Sequence, residues 1–209
     1  MTTALKVFRA TPSRPALLSG GYAAALHPVA DPVPELLNIT KPRAVKAAHA
    51  DYLAAGATVI RTNTASASPQ RLDRYRMHDE AFIVSYMAAE HARDSVRTAA
   101  VDGRARTVLG VARVEAWSPE RGFLGLDAVQ DAVRCMVSGL SGGGADQVLL
   151  DAPQEQARLL AAIEGARRGM ADAGRSLPIM LKLRYEPAFT VPARARVTED
   201  LKAAACLAS

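Results

Sequence analysis

The segment His49-Ala50-Asp51-Tyr52-Leu53-Ala54-Ala55-Gly56-Ala57-Thr58-Val59-Ile60-Arg61-Thr62-Asn63-Thr64-Ala65 constrains the fold more than any other part of this chain. A helix-like register runs to Ala54-Ala55 and stops at Gly56. A short β-branched run, Thr58 to Ile60, then carries Arg61-Thr62-Asn63-Thr64 to what reads as a strand's carboxyl end. In α/β proteins that end is where ligands sit.

The same unit recurs along the chain. Pro15 to Leu18 reads as a first strand ending at Ser19-Gly20-Gly21, and Arg43 to Ala55 as a helix with Pro42 in its first turn. Thr58 to Thr62 is the second strand, about Asp79 to Ala99 a long Ala-rich helix, and Thr107 to Val114 the third strand. Asp127 to Leu140 sets Val129, Val133, Met136, Val137 and Leu140 on one helical face. Gln147 to Leu150 and Pro178 to Leu183 are strands four and five, separated by a helix from Gln154 to Asp172, and Val197 to Leu207 is a last apolar helix. Near-continuous apolar strands alternating with amphipathic helices predict an α/β fold, a parallel βα repeat with both sheet faces covered. No linker divides the chain, so residues 1–209 read as a single domain.

With 209 residues, 49% hydrophobic and 22% charged, the chain can bury a full core. Its net charge of +5 comes from basic residues, mostly Arg, that are scattered rather than clustered, and aromatics are 5%. A nucleic-acid face needs clustered cations with interleaved aromatics, so no nucleic-acid partner is expected. No run approaches the ~18 apolar residues of a membrane span, and the amino terminus lacks a signal-peptide core, so the expectation is a soluble, cytoplasmic protein without a membrane partner. Cys135 and Cys206 are the only thiols, and their separation fits neither a metal hairpin nor a redox pair. That usage suits a reducing compartment.

The helix carrying His49 and Tyr52 followed by AGATVIRTNT, and the turn Gly143-Gly144-Ala145-Asp146 leading into VLLDAPQEQARLL, resemble the homocysteine S-methyltransferase family. The likeness runs from about Leu17 to Arg184. It implies a (β/α)8 barrel in which three thiolates hold zinc and zinc holds the sulfur of a homocysteine-type thiol amino acid. A thiol of pKa ~8.5 is mostly protonated at neutral pH, and metal coordination deprotonates it while leaving a nucleophile able to displace a methyl group from its donor. The resemblance sets the substrate-binding residues at Gly20, Gly21, Thr62, Asn63 and Asp151.

Departures from the family pattern are equally specific. Ser19-Gly20-Gly21 stands where the family has Asp-Gly, Asp151 where it has Glu, and Ala65 where it has an aromatic. Five strands are legible against the eight and ~250 residues of a whole barrel, which makes this a partial TIM-barrel-like chain of about five βα units. The family's paired zinc cysteines have no counterpart, so a homo-oligomer or complementing subunit is expected to supply zinc and the methyl donor. Two readings stand side by side: a homocysteine-binding S-methyltransferase-like protein that needs such a partner, and a noncatalytic binding or scaffold subunit that retains the half-barrel.

Single residues carry alternatives too. Asn63 either faces ligand or satisfies loop backbone groups, and Thr62 is either a ligand or a barrel-layer residue. Gly20 and Gly21 form an anion nest or a plain turn. Asp151 receives an ammonium or caps the following helix. His49 reads as a packing or hydrogen-bonding residue, and His27, His78 and His91 lack metal-ligand spacing. Cys135 reads as a buried hydrophobe. Trp117, with Glu115 and Arg121, lies on the pocket rim or in an exposed loop. Gly142-Gly143-Gly144 is no phosphate loop, because it follows a helix and has no Lys-Ser/Thr behind it.

Overall fold

The computed structural model describes residues 16–26, 33–100, 103–115, 117–118, 122–152 and 155–183. The expected helix over 197–207, Cys206, His27, Arg121 and the start of the first strand at Pro15 lie outside them.

Helix α3, Pro42–Ala54, follows two short helices, α1 (Tyr22–Ala25) and α2 (Leu37–Thr40). Pro42 occupies its first turn, where a missing N–H costs nothing, and Val45, Ala48, His49 and Leu53 form its buried stripe. The helix ends on two bonds, Gly56 N–H to Leu53 O at 3.0 Å and Ala57 N–H to Tyr52 O at 3.0 Å, with Gly56 at φ +96°. That left-handed turn suits glycine because it has no Cβ, and it aims the chain into β1, Val59–Arg61.

A short helix α4 (Pro69–Leu72) and the long α5 (Ala81–Ala99) lead to β2, Thr107–Arg113. A small antiparallel hairpin, β3 (Trp117–Ser118) with β4 (Gly122–Phe123), precedes α6, Leu126–Gly142. Strand β5 (Gln147–Ala152), helix α7 (Gln156–Asp172) and strand β6 (Ile179–Leu183) complete the described chain. The pair of bonds that ends α3 recurs after α6, from Gly144 to Ser141 O and from Ala145 to Leu140 O. It recurs again after α7, at Gly174 and Arg175.

The two motifs that carried the family resemblance have one structural job. Thr58, just after Gly56-Ala57, accepts the Leu17 N–H on its Oγ1 at 3.1 Å. Asp146, just after Gly144-Ala145, accepts the Val108 N–H on Oδ2 at 2.8 Å and pairs with Arg93. Each side chain therefore ties the start of its own strand to the preceding one.

The four-stranded sheet is parallel throughout, in the order β1-β2-β5-β6, and a parallel bridge from Leu18 to Val59 adds the first strand beside β1. The expected parallel βα repeat is thus present, with its first strand reduced to one bridge. Ile60, Val108, Ala112, Val148 and Leu150 are fully buried on the face that meets the helices, where Gly110 lies against Leu140 and Ala145. Strand alternation sends Arg61, Val111, Arg113, Leu149, Asp151, Met180 and Lys182 to the other face. Among the described residues the sheet does not close.

Helices α5, α6 and α7 approach until backbones touch. A Cβ on Gly139 would stand 2.5 Å from Phe82 O, and one on Gly143 2.2 Å from Tyr86 O, both on α5. On α7, Gly165 and Gly169 meet the Gln130 and Arg134 carbonyls of α6 in the same way, at 2.3 and 2.5 Å. In each helix the two glycines are four residues apart, so both lie on one face. Gly165→Ala is expected to lower stability by about 1–3 kcal/mol through overpacking, read as a lower urea midpoint; an unchanged midpoint would mean that the helices are free to separate.

Candidate functional site

The carboxyl ends of the strands collect the polar residues. At the end of β1, Val111 N–H donates to Thr62 Oγ1 at 2.9 Å and the Thr64 hydroxyl donates to Val111 O at 2.6 Å. The two threonine hydroxyls are 2.7 Å apart, and since Thr64's proton goes to the carbonyl, Thr62 donates to Thr64. This closed loop locks β1 to β2 and uses the Thr62 hydroxyl inside the wall.

Asn63 lies between the two threonines and points the other way. Its Nδ2 donates to Pro34 O at 2.7 Å, and its own carbonyl accepts from Asn38 Nδ2 at 2.8 Å. The side chain is therefore engaged with the loop around residues 34–38, which it holds over the strand ends. Glu35, from that loop, is a site residue that the sequence reading missed. It is buried, its Oε1 accepts the Ser66 N–H at 2.8 Å, and burial pushes its carboxyl up while Arg113 nearby opposes the shift. Its only signal in the sequence was a lone acid in an apolar turn, between Pro34 and Leu36.

At the first strand, Ser19 Oγ accepts the Arg61 N–H at 3.0 Å, and the Tyr22 hydroxyl lies 3.4 Å from it. The same hydroxyl is 2.7 Å from His49 Nδ1. Burial, with His91 adding to it, holds the His49 imidazole down at about 3. A Cβ on Gly20 would stand 2.7 Å from Tyr52 Oη, whereas nothing lies within 4 Å of one on Gly21. Tyr52 donates to Gly21 O at 3.1 Å, and Arg61 donates to Gly20 O. Gly20 thus sits under the Tyr52 ring, and the carbonyls of both glycines are already bonded.

Asp151, next to last in β5, lies in a row that the parallel register builds across three strands, Arg113 on β2, Asp151 on β5 and Lys182 on β6. Its side chain is 6% exposed; Oδ2 is 3.2 Å from Lys182 Nζ and 3.7 Å from Arg113 Nε. Glu115, just beyond β2, pairs with Arg71 at 3.2 Å.

This parallel half-barrel with its polar groups at the strand ends matches known proteins. The family model of homocysteine S-methyltransferase covers residues 16–207. The chain belongs to the homocysteine S-methyltransferase family. Its relatives include the methionine synthases of Mycobacterium leprae and Mycobacterium tuberculosis, each 31% identical over 157 residues, which is 75% of this chain and 13% of the relative. The chain therefore spans a small part of the length of those relatives. Among solved structures, the apo form of the homocysteine methyltransferase MmuM from Escherichia coli superposes with a TM-score of 0.60 at 20% identity, over 81% of this chain and 60% of that one. The metallated form gives 0.62 at 19%, over 76% and 60%. The likeness fixes the fold as that of a partial barrel.

No group of three His, Cys, Asp or Glu side chains among the described residues is placed to hold a metal. Cys135 lies on α6, in the helix layer, and lines a cavity of about 360 Å³ with Gln70, His78 and Asp79; burial raises its thiol. These residues do not fit a thiolate zinc centre at the strand ends. A larger cavity of about 740 Å³ opens beside the strands' amino ends, between α3 and α5. Two of its cations serve the scaffold: Lys46 pairs with Asp94 at 2.9 Å, and Arg106 donates to Ala99 O at the end of α5. No helix among the described residues is long and apolar enough to cross a membrane.

The buried His49 makes stability depend on pH. Its folded value of about 3 lies below the ordinary 6.5, so the unfolded chain binds more protons between them and stability falls as pH drops from 6.5 towards 3. His49→Gln is expected to flatten urea midpoints across that window. A slope identical to that of the parent chain would mean that the imidazole is solvated.

Proposed function

We propose that this chain binds a homocysteine-type thiol amino acid at the carboxyl ends of its strands, around Gly20, Gly21, Asn63 and Asp151, with Thr62 holding the wall behind them. What supports the reading is the convergence of these residues on the ligand-binding end of a homocysteine S-methyltransferase fold. The metal and the methyl donor come from outside the described residues, by way of a second copy, a complementing subunit or a further part of a longer protein. Zinc bound there would hold the substrate as its thiolate. What this chain contributes is the recognition and orientation of the amino-acid part.

Calorimetric titration of homocysteine into the purified chain, with and without zinc, tests this. Weak binding that zinc leaves unchanged is the expected result. Binding strengthened by zinc would overturn the view that the metal comes from elsewhere. No binding at all would sink the reading and leave a scaffold that kept the half-barrel and lost its ligand, an outcome that the replacement of the family's Asp by Ser19 would then explain.

A further inference from the structure

In the helix layer, one cavity gathers acceptors with no donor to meet them. It is the space of about 360 Å³ between α4, the short turn His78–Glu80 that leads into α5, and the first half of α6. Gln70 lies in its wall and is 7% exposed. Its Nε2 donates to Ala128 O at 3.2 Å, which fixes the amide and leaves Oε1 without a hydrogen bond to any described residue. His78, also in the wall, has a buried Nδ1 that is likewise unbonded. The tautomer with its proton on Nε2 presents that nitrogen as an acceptor. A buried acceptor left without a donor costs free energy, so a pair of them marks where a donor arrives.

The charge around the cavity has one sign. Asp79 and Asp131 are exposed members of its lining, and among the described residues no Lys or Arg joins them there. Arg134, one turn from Asp131 on α6, is held by Asp172 of α7 at 2.6 Å, and Arg71, beside Gln70, is held by Glu115. Burial and the Asp79 carboxylate both push the Cys135 thiol up, so it stays protonated and adds a neutral, polarizable wall. Exposed acids over unmet acceptors suit a cation that carries N–H donors.

Spacing narrows the kind of cation. No three of His78, Cys135, Asp79 and Asp131 are placed to share one metal ion. An ammonium offers its three donors from a single atom and meets the same limit. A guanidinium is planar and presents five N–H groups around its rim, so it reaches carboxylates and a carbonyl oxygen that are set apart.

We infer that this cavity is a binding site for a guanidinium group, with Gln70 Oε1 as the buried acceptor and Asp79 and Asp131 as the charge partners. The site is separate from the strand ends and independent of the thiol amino acid proposed to bind there. Its volume lies within the range of small-ligand sites and leaves room for an alkyl chain behind the charged head.

Titration of the full chain with methylguanidinium at millimolar concentrations, followed by amide shifts in nitrogen–proton correlation spectra, tests this. Saturable shifts confined to residues 69–79 and 126–136 are the expected result. Tetramethylammonium has the same charge and no N–H, and should bind about tenfold or more weakly. Asp79→Asn with Asp131→Asn, both at exposed positions, should weaken methylguanidinium about tenfold, and Gln70→Met, which removes the buried acceptor and leaves the charge alone, should do the same. N-acetylarginine N-methylamide separates the two sources of such a group: tighter binding than methylguanidinium assigns the site to an arginine of a peptide, equal binding to a small molecule, and either bears the inference out. Shifts that do not saturate, equal binding of tetramethylammonium, or unchanged affinity in Gln70→Met with a native spectrum elsewhere would each overturn it and leave the strand-end reading standing.

Discussion

Strands in a sheet lie about 4.8 Å apart, whereas packed helices lie about 8–10 Å apart, and this mismatch sets the shape of the chain. Right-handed crossovers between sequential parallel neighbours put the connecting helices on one side of the sheet. Here α3 packs on α5, α5 on α6 and α6 on α7, in the order of the strands they cover. A row of wide elements over a row of narrow ones fits only if the sheet curls with the helices outside. Gly139, Gly143, Gly165 and Gly169 bring neighbouring helices to backbone contact and so keep the outer row as narrow as its geometry allows.

Curling turns the two faces of each strand into different environments. The outer positions are apolar and fully buried at Ile60, Val108, Val148 and Leu150. The inner positions run from Leu109 and Val111 at depth to Arg113 at the mouth, and from Leu149 to Asp151 on the next strand. Charge therefore collects at the carboxyl ends of the strands. The Thr62–Thr64 clamp on Val111 fixes the rotation of β1 at that height, and this rotation sends Asn63 inward to hold the loop that carries Glu35. Positioning of the site is thus a consequence of backbone satisfaction one layer below it.

Much of this was legible in the residues. Gly56 and Gly144 mark helix ends because only a residue free to take a positive φ closes that turn, and Thr58 and Asp146 mark strand starts because each supplies an acceptor for the strand beside it. Periodicity placed the helix over Asp127–Leu140 within α6, since its apolar face is what the sheet buries. The short helices and the β3–β4 hairpin escaped notice because a few residues establish no period. Other features depend on which strands are neighbours, and local pattern does not encode that. Arg113, Asp151 and Lys182 are far apart in the chain and share a row only through the register of β2, β5 and β6. Gly20 reads as a turn or a nest, and the reason for it is Tyr52, thirty-two residues on, resting where a side chain would be.

Two of the departures from the family pattern, Ser19 and Asp151, stand at strand ends, and the structure shows what each side chain does there. Ser19 has no carboxylate, and its hydroxyl serves the Arg61 backbone instead of a ligand. Asp151 is one methylene shorter than Glu, which keeps its carboxylate close to the strand, within reach of Lys182 on one side and beside Arg113 on the other. The mouth of the sheet thus carries both signs of charge, with the Asp151 carboxylate set between the cations of the two neighbouring strands.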